Sequence, residues 1–288
     1  MKNIKIILSP RGWLRPDYSL LTSLLKAMLK KLITPFEVLK SPHNLALIAF
    51  WLVAVIGFWY LSTTGQKHLL PSPQSVLKGL GEEYQEGLIP HIMSSLILCA
   101  QATFWALLVS LPLAYLSTLP LFHPVIQGIS KFRYLPLTGI TFYLATSPLI
   151  SSGRAMQVGV LVIFMSVYFV TSLLSVISDI PEEEFDHARS LKMNRWEVLW
   201  HVIIRGRIDY AIEILRQNLA IVWMMLVTVE SIVMSAGGLG TIIKNADRYA
   251  NHGRIFAAQL VILLIGILLD YLLSELRYSF PYVNRTQK

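Results

Sequence analysis

Between Asp179 and Trp196 the chain carries four acids, Glu182, Glu183, Glu184 and Asp186, then the bases Arg189, Lys192 and Arg195, interleaved with Phe185, Ala188 and Leu191. The chemistry these residue types offer together is recognition. Asp179 is a candidate N-cap, Pro181 suits a first turn, and three glutamates lie where the positive end of a helix dipole favours them, so a helix is expected to start here. Phe185, Ala188 and Leu191 recur at intervals of three and form an apolar ridge with basic flanks. Helix-in-groove docking uses such a ridge. A solvated amphipathic connector has the same pattern, and both readings stay open.

Polar groups inside apolar stretches are the second set of candidates, because charge within a bilayer is costly and usually faces a protein interior. Glu230 is the sharpest of them. It suits either a pathway or gate residue for a solute, or a packing residue bonded to a neighbouring backbone group or hydroxyl. Arg216 lies fourteen residues earlier on the same helical face, and at about 1.5 Å per residue the roughly 21 Å between them forbids a direct pair. It is expected to snorkel to the interface, and Asp270 to face water or a loop. Gln101, Asn218 and Thr228 can join helices by hydrogen bonds. Tyr143, Thr146 and Ser147 are pathway candidates, since Pro136, Gly139 and Pro148 interrupt their segment, and irregular backbone at membrane depth lines a cavity or is wrapped by protein.

Other chemistries find no support. The seven histidines (His43, His68, His91, His123, His187, His201 and His252) show no close ligand spacing, so no metal site is expected. Cys99 is the only cysteine, which rules out an intrachain disulfide and reads as a packing residue. There is no phosphate loop of the Gly-x-x-x-x-Gly-Lys type and no acidic pair within the apolar stretches, so the chain is not expected to hydrolyse ATP by itself or to hold a cofactor.

The elements that must position these residues are membrane helices. The chain is 54% hydrophobic and 15% charged, against about 25% charged in soluble domains. Apolar spans lie near 44–62, 92–117, 156–178, 213–234 and 255–273, with a less regular sixth over 134–150. Eighteen Lys and Arg fall in 1–43, 118–133, 179–212 and 274–288, against six in the loops on the other side (Lys67, Lys78, Arg154, Lys244, Arg248 and Arg254), so both termini and the 179–209 loop are expected to be cytoplasmic. The net charge of +8 follows this topology and points to anionic lipid instead of nucleic acid. Residues 1–43 lack the single apolar core and cleavage site of a signal peptide. Within them Leu20, Leu21, Leu24, Leu25, Met28, Leu29 and Leu32 recur at helical spacing apart from Lys26, Lys30 and Lys31, as in an amphipathic helix lying on the membrane surface. Pro71 and Pro73, with Ser72 or Ser75 as cap, predict a short surface helix through about Tyr84.

One resemblance joins these pieces. The spacing Asp186-His187-Ala188, three residues, Lys192, nine residues, Val202-Ile203-Ile204-Arg205 is similar to the cytoplasmic signature of permease subunits of binding-protein-dependent ABC importers, especially the nitrate, sulfonate and taurine group. That signature reads Glu-Ala-Ala, three residues, Gly, nine residues, Ile, any residue, Leu-Pro. Leu70-Pro71-Ser72-Pro73, Val227-Thr228-Val229-Glu230-Ser231 and Gly237-Gly238-Leu239-Gly240 followed by Ile242 also resemble family positions, in the same order. The resemblance implies an all-α inner-membrane protein with six transmembrane helices of the type I importer kind over 44–288, acting as a homodimer. It implies that Glu184, Phe185, Asp186, His187, Ala188, Arg189, Ser190, Leu191 and Lys192 dock on a cytoplasmic ABC ATPase. An extracytoplasmic solute-binding protein would deliver a small anion such as nitrate, a sulfonate or taurine. A secondary transporter, a channel subunit or a structural membrane subunit are the alternatives. Lys192 stands where the family has Gly, and Arg205 where it has Pro. Because Lys takes a positive φ at a cost that Gly avoids, the turn is expected to be rebuilt with Asn194 in the left-handed position.

Overall fold

The computed structural model describes residues 41–63, 70–145 and 152–279, and among them the secondary structure is helical, with no strand. The predicted amphipathic helix of residues 20–32 lies outside the described residues. Five helical stretches are long and apolar enough to cross a membrane: Asn44–Thr63, Leu88–Leu116, Gly153–Ser178, Tyr210–Ile232 and His252–Glu275. All five coincide with predicted spans. The sixth expected span, 134–150, contributes only the nine-residue helix Leu137–Ala145 among the described residues; Thr146 and Ser147 lie outside them.

Helix α1 (Ser41–Thr63) is apolar on every side and belongs to a unit of its own. The second unit begins with α2 (Pro73–Glu86), where Ser72 proves to be the cap: its hydroxyl accepts the Ser75 N–H at 3.3 Å. Gly87, at φ 105°, ends α2 and turns the chain into α3 (Leu88–Leu116). After α4 (His123–Ser130) and α5 (Leu137–Ala145), Ser152 caps α6 (Gly153–Ser178) by accepting from Ala155 N–H. Then come α7 (Glu182–Ser190), α8 (Arg195–Val198) with a π-helical turn over Leu199–Ile204, α9 (Ile208–Ile232), α10 (Leu239–Arg248) and α11 (His252–Ser279).

The core of this unit is built on α3 and α6. Ala102, Ala106, Ser110 and Ala114 recur every four residues along α3 and are fully buried, because small side chains let a neighbouring helix approach closely. Leu161, Phe164, Met165 and Phe169 of α6 fill that space, and Ser166 Oγ donates to the Ala106 carbonyl at 3.4 Å. Helix α9 packs on α6 through Val222, Leu226 and Val229. It is fastened to α11 by Trp223, whose indole N–H donates to the Ile262 carbonyl at 3.0 Å.

Candidate functional site

The loop between α6 and α9 folds as two short helices and a π turn. The helix dipole argument holds for its start, since Glu182, Glu183 and Glu184 fill the first turn of α7. Asp179 does not cap it. Its backbone (φ −84°, ψ 4°) completes α6, with its N–H on the Ser175 carbonyl at 3.0 Å, and the extended residue that an N-cap position requires is Pro181. The predicted apolar ridge is divided: Ala188 is 2% exposed and faces its own chain, while Leu191 is 57% exposed. Trp196 and Trp200 are also mostly exposed, so the outward surface carries more apolar area than Phe185, Ala188 and Leu191 alone suggested.

The turn after α7 corrects the expectation about Asn194. Lys192 itself adopts the left-handed conformation at φ 55°. Its N–H donates to the Arg189 carbonyl at 2.9 Å and the Met193 N–H to the Ala188 carbonyl at 3.1 Å, the Schellman closure of a helix end. Such a closure needs its left-handed residue immediately after Leu191, two positions before Asn194. Asn194 is extended (φ −69°, ψ 157°) and caps α8 in a capping box with Glu197, whose carboxylate accepts the Asn194 N–H at 2.7 Å. Arg205 has a comparable use, because its N–H donates to the Trp200 carbonyl at 2.9 Å and ends the π turn. A proline there would have no N–H to give.

Two arginines hold α7. Arg189 donates to Asp186 at 2.6 Å and to Glu182 at 3.0 Å along the exposed side. On the inner side Arg207 reaches back 23 residues to Glu184 at 2.5 Å, with its guanidinium carbon 5.2 Å from the Tyr210 ring centroid.

At the opposite end of the bundle the structure brings together the two family-like segments around Glu230. Glu230 is fully buried. One carboxylate oxygen accepts the Ser95 hydroxyl at 2.7 Å and the other the Gly240 N–H at 2.9 Å; Ser95 in turn accepts the Leu239 N–H at 2.9 Å. The carboxylate therefore sits on the N-terminus of α10, where free N–H groups and the helix dipole favour negative charge. Gly238, at φ 118°, makes room for it, since a Cβ there would lie 2.2 Å from the Glu230 carboxylate. His91 Nδ1 lies 3.0 Å from Gly238 N and 3.1 Å from Gly238 O. From α6, Arg154 donates to the Ser94 carbonyl at 2.9 Å and Gln157 to the Val233 carbonyl at 2.8 Å.

Arg216 does not stand alone at an interface. It donates to Glu213 at 2.9 Å and across to Asp270 of α11 at 2.9 Å, so Asp270, expected to face water or a loop and 58% exposed at its side chain, also joins two helices. Above this ionic set, a groove of about 600 Å³ runs between α9 and α11, lined by Trp223, Thr228, Gln259, Gly266 and Asp270 among others. Asn218 donates to Ser172 of α6 at 3.1 Å, whereas Thr228 donates within its own helix to Met224 and Gln101 is exposed. Tyr143 is 74% exposed on α5.

Several residues escaped sequence reasoning. Ser95, His91, Arg154, Gln157 and Arg207 matter only through partners far away in the chain. The one available signal was the pairing of a lone apolar-stretch acid with a Gly-rich run ten residues later.

Residues 79–276 match the family model described as "Binding-protein-dependent transport system inner membrane component". Among curated proteins, the taurine transport system permease protein TauC of Escherichia coli is 26% identical over 224 residues, covering 72% of this chain and 78% of that protein. Among solved structures, an amino acid ABC transporter with histidines matches with a TM-score of 0.56 at 20% identity, over 68% of this chain and 93% of the other. An inward-facing MetNI methionine ABC transporter matches with a TM-score of 0.61 at 14% identity, over 69% and 98%. At these identities the structural likeness speaks for the fold.

Proposed function

Since this chain belongs to the family of binding-protein-dependent transport system inner membrane components, we propose that it forms the solute pathway of an ATP-driven importer and takes its drive from a separate ATPase through the loop 179–209. It is a multi-pass protein of the bacterial inner membrane. The observation that carries the coupling proposal is the loop itself: two capped helices, closed by the strained residue Lys192, present Leu191, Trp196 and Trp200 outward. A connector with no partner has no need to expose two tryptophans on an ordered turn.

In this reading the loop is cytoplasmic, and Glu184 to Lys192 seats in a cleft on the ATPase. Ala188 anchors the helix to its own subunit, and Leu191, His187 and Ser190 meet the partner. Two permease chains enclose the pathway and alternate between inward and outward openings as the ATPase pair closes and reopens. Tyr143, Thr146 and Ser147 border the pathway. Glu230 serves it by holding α10, and with it the outer end of α9, in place. An extracytoplasmic binding protein delivers the solute, a small anion such as nitrate, a sulfonate or taurine; the family resemblance and the taurine permease relative support that class.

The test is a crosslink from Ser190→Cys, in a Cys99→Ser background, to the ATPase that co-purifies with the chain from native membranes. A crosslink is expected; a co-purifying ATPase with no reaction at Ser190 or His187 would remove the coupling role. The ionic set Glu213, Arg216 and Asp270 inside apolar helices is the feature that favours an ion-driven carrier instead. Uptake of labelled taurine and nitrate by proteoliposomes without ATPase subunits would establish that alternative, and uptake only with ATPase and ATP would exclude it.

A further inference from the structure

We propose that Glu184 and Arg207 form a brace that makes the docking helix α7 and the membrane helix α9 move as one body. The inference deepens the coupling role proposed above and rests on it for its use, though not for its geometry.

The covalent route from α7 to α9 is indirect and changes geometry several times. It passes the left-handed Lys192, the four-residue helix α8, the π turn of Leu199–Ile204 and Gly206. A push on α7 that travelled only along this backbone would have to pass each of these changes of geometry in turn. The ion pair bypasses the whole segment: it joins the first turn of α7 to the residue that precedes α9, at 2.5 Å across 23 residues.

The surroundings single out this pair among the charges of the loop. Glu182 and Asp186 are both engaged by Arg189, and Glu183 is exposed, so Glu184, its side chain 44% exposed, is the first-turn acid that faces Arg207. The Arg207 side chain is only 16% exposed, against 65% for Arg189, and it lies against the Tyr210 ring on α9. A charge-assisted hydrogen bond screened from water on one side is stronger and better oriented than a surface pair. Among the described residues, Arg207 Nε is buried without a partner and the guanidinium reaches a carboxylate through Nη2, at Glu184. Ala188 and Ile203, both buried, seat the loop beside the brace.

Beyond Arg207, α9 is tied to α11 by Arg216 and Asp270 and to α10 by Glu230 and Gly240. A displacement delivered at Arg207 therefore reaches elements at both ends of the bundle. This gives Arg207 and Glu184 a positioning role: they need not touch solute or ATPase to decide whether motion is transmitted.

The test is a distance measurement on the full-length chain in lipid nanodiscs, in a Cys99→Ser background. Spin labels go at Glu183→Cys and at Thr228→Cys, which lies about 30 Å along α9 from Ile208. Dilution with unlabelled chain isolates the distance within one subunit. The expected result is a single narrow distance, unchanged when the co-purifying ATPase is added with ATP and vanadate. Glu184→Gln and Arg207→Gln should each broaden it about twofold or split it while the thermal melt stays cooperative, and the reversed pair Glu184→Arg with Arg207→Glu should restore the narrow distance. The inference is overturned if either single variant keeps the narrow distance, if the reversed pair is no better than the single variants, or if nucleotide shifts the distance in the unaltered brace. Absence of any co-purifying ATPase would count against the coupling role alone, because the nanodisc comparison of variants stands without it.

Discussion

Glu230 and Ser95, 135 residues apart in the chain, meet at 2.7 Å in a fully buried site and together receive the N–H groups of Leu239 and Gly240. A buried carboxylate facing a helix N-terminus is held by several donors at once. Removing it strands them. Glu230→Ala is expected to destabilise the protein by about 2–4 kcal/mol, since it leaves buried donors without acceptors. Ser95→Ala should cost about 1–2 kcal/mol, because the carboxylate keeps its bond from Gly240. Thermal unfolding in detergent, monitored by tryptophan fluorescence, ranks the two; equal melting temperatures for Glu230→Ala and the unaltered protein would refute the capping role.

Lys192 bears a backbone conformation that costs an L-residue about 1 kcal/mol or more. Lys192→Gly should therefore strengthen the turn by about 0.5–1 kcal/mol, less than the full strain because glycine also gains freedom in the unfolded chain. Lys192→Val should weaken it by more, a β-branched side chain being poorly suited to positive φ. The Met193 amide, bonded to the Ala188 carbonyl, reports this directly. Its hydrogen exchange should slow in the glycine variant and speed up in the valine variant.

Gly79 and Gly81 lie two residues apart in α2 and should respond in opposite ways. A Cβ on Gly79 would come within 2.8 Å of the Gly253 backbone in α11, whereas one on Gly81 meets nothing within 4 Å. Gly79→Ala is expected to destabilise by about 1–3 kcal/mol through overpacking. Gly81→Ala should be neutral or stabilise by up to about 1 kcal/mol, as alanine favours a helix interior. Paired melts of the two variants check the difference; a cost at Gly81 as large as at Gly79 would contradict the close approach.

Arg254 fastens the same two helices from the side, donating to Glu83 and Glu86 of α2, and Glu83 is 3% exposed. Arg254→Lys should fail to satisfy both carboxylates, because an ammonium lacks the planar fork that spans them. Arg254→Met should cost about 3–5 kcal/mol by leaving a buried acid unpaired, and adding Glu83→Gln should recover part of it. The double-mutant cycle in detergent melts measures that recovery. A double variant no more stable than Arg254→Met would show that the pair is not coupled.

What could be read from the sequence follows from the range of the interaction. Apolar run lengths are local, and all five long spans emerged from them. The Ser72 cap and the acidic first turn of α7 are local too. The end of α6 was missed because Asp179 fits a cap by residue type, while its φ and ψ are set by the helix before it. Lys192 was misjudged because a propensity of about 1 kcal/mol yielded to two backbone hydrogen bonds that only that residue could complete. Links such as Arg216 to Asp270 or Glu230 to Ser95 depend on how each helix is rotated about its axis, which a single chain's pattern does not specify. The family-like order of Glu230 and Gly237 to Gly240 marked that site without disclosing its bonds.

The contact of Gly79 with Gly253 has a consequence for how the chain can change over generations. Where two side chains crowd each other, growth of one is compensated by trimming the other. Here neither partner carries anything to trim, and a Cβ on Gly253 would meet the Ser75 carbonyl at 2.7 Å just as one on Gly79 meets Gly253. No substitution at either position can rescue a change at the other. The crossing of α2 and α11 is thus closed to pairwise drift: it is left only by moving the helices apart, and restored only by direct reversion.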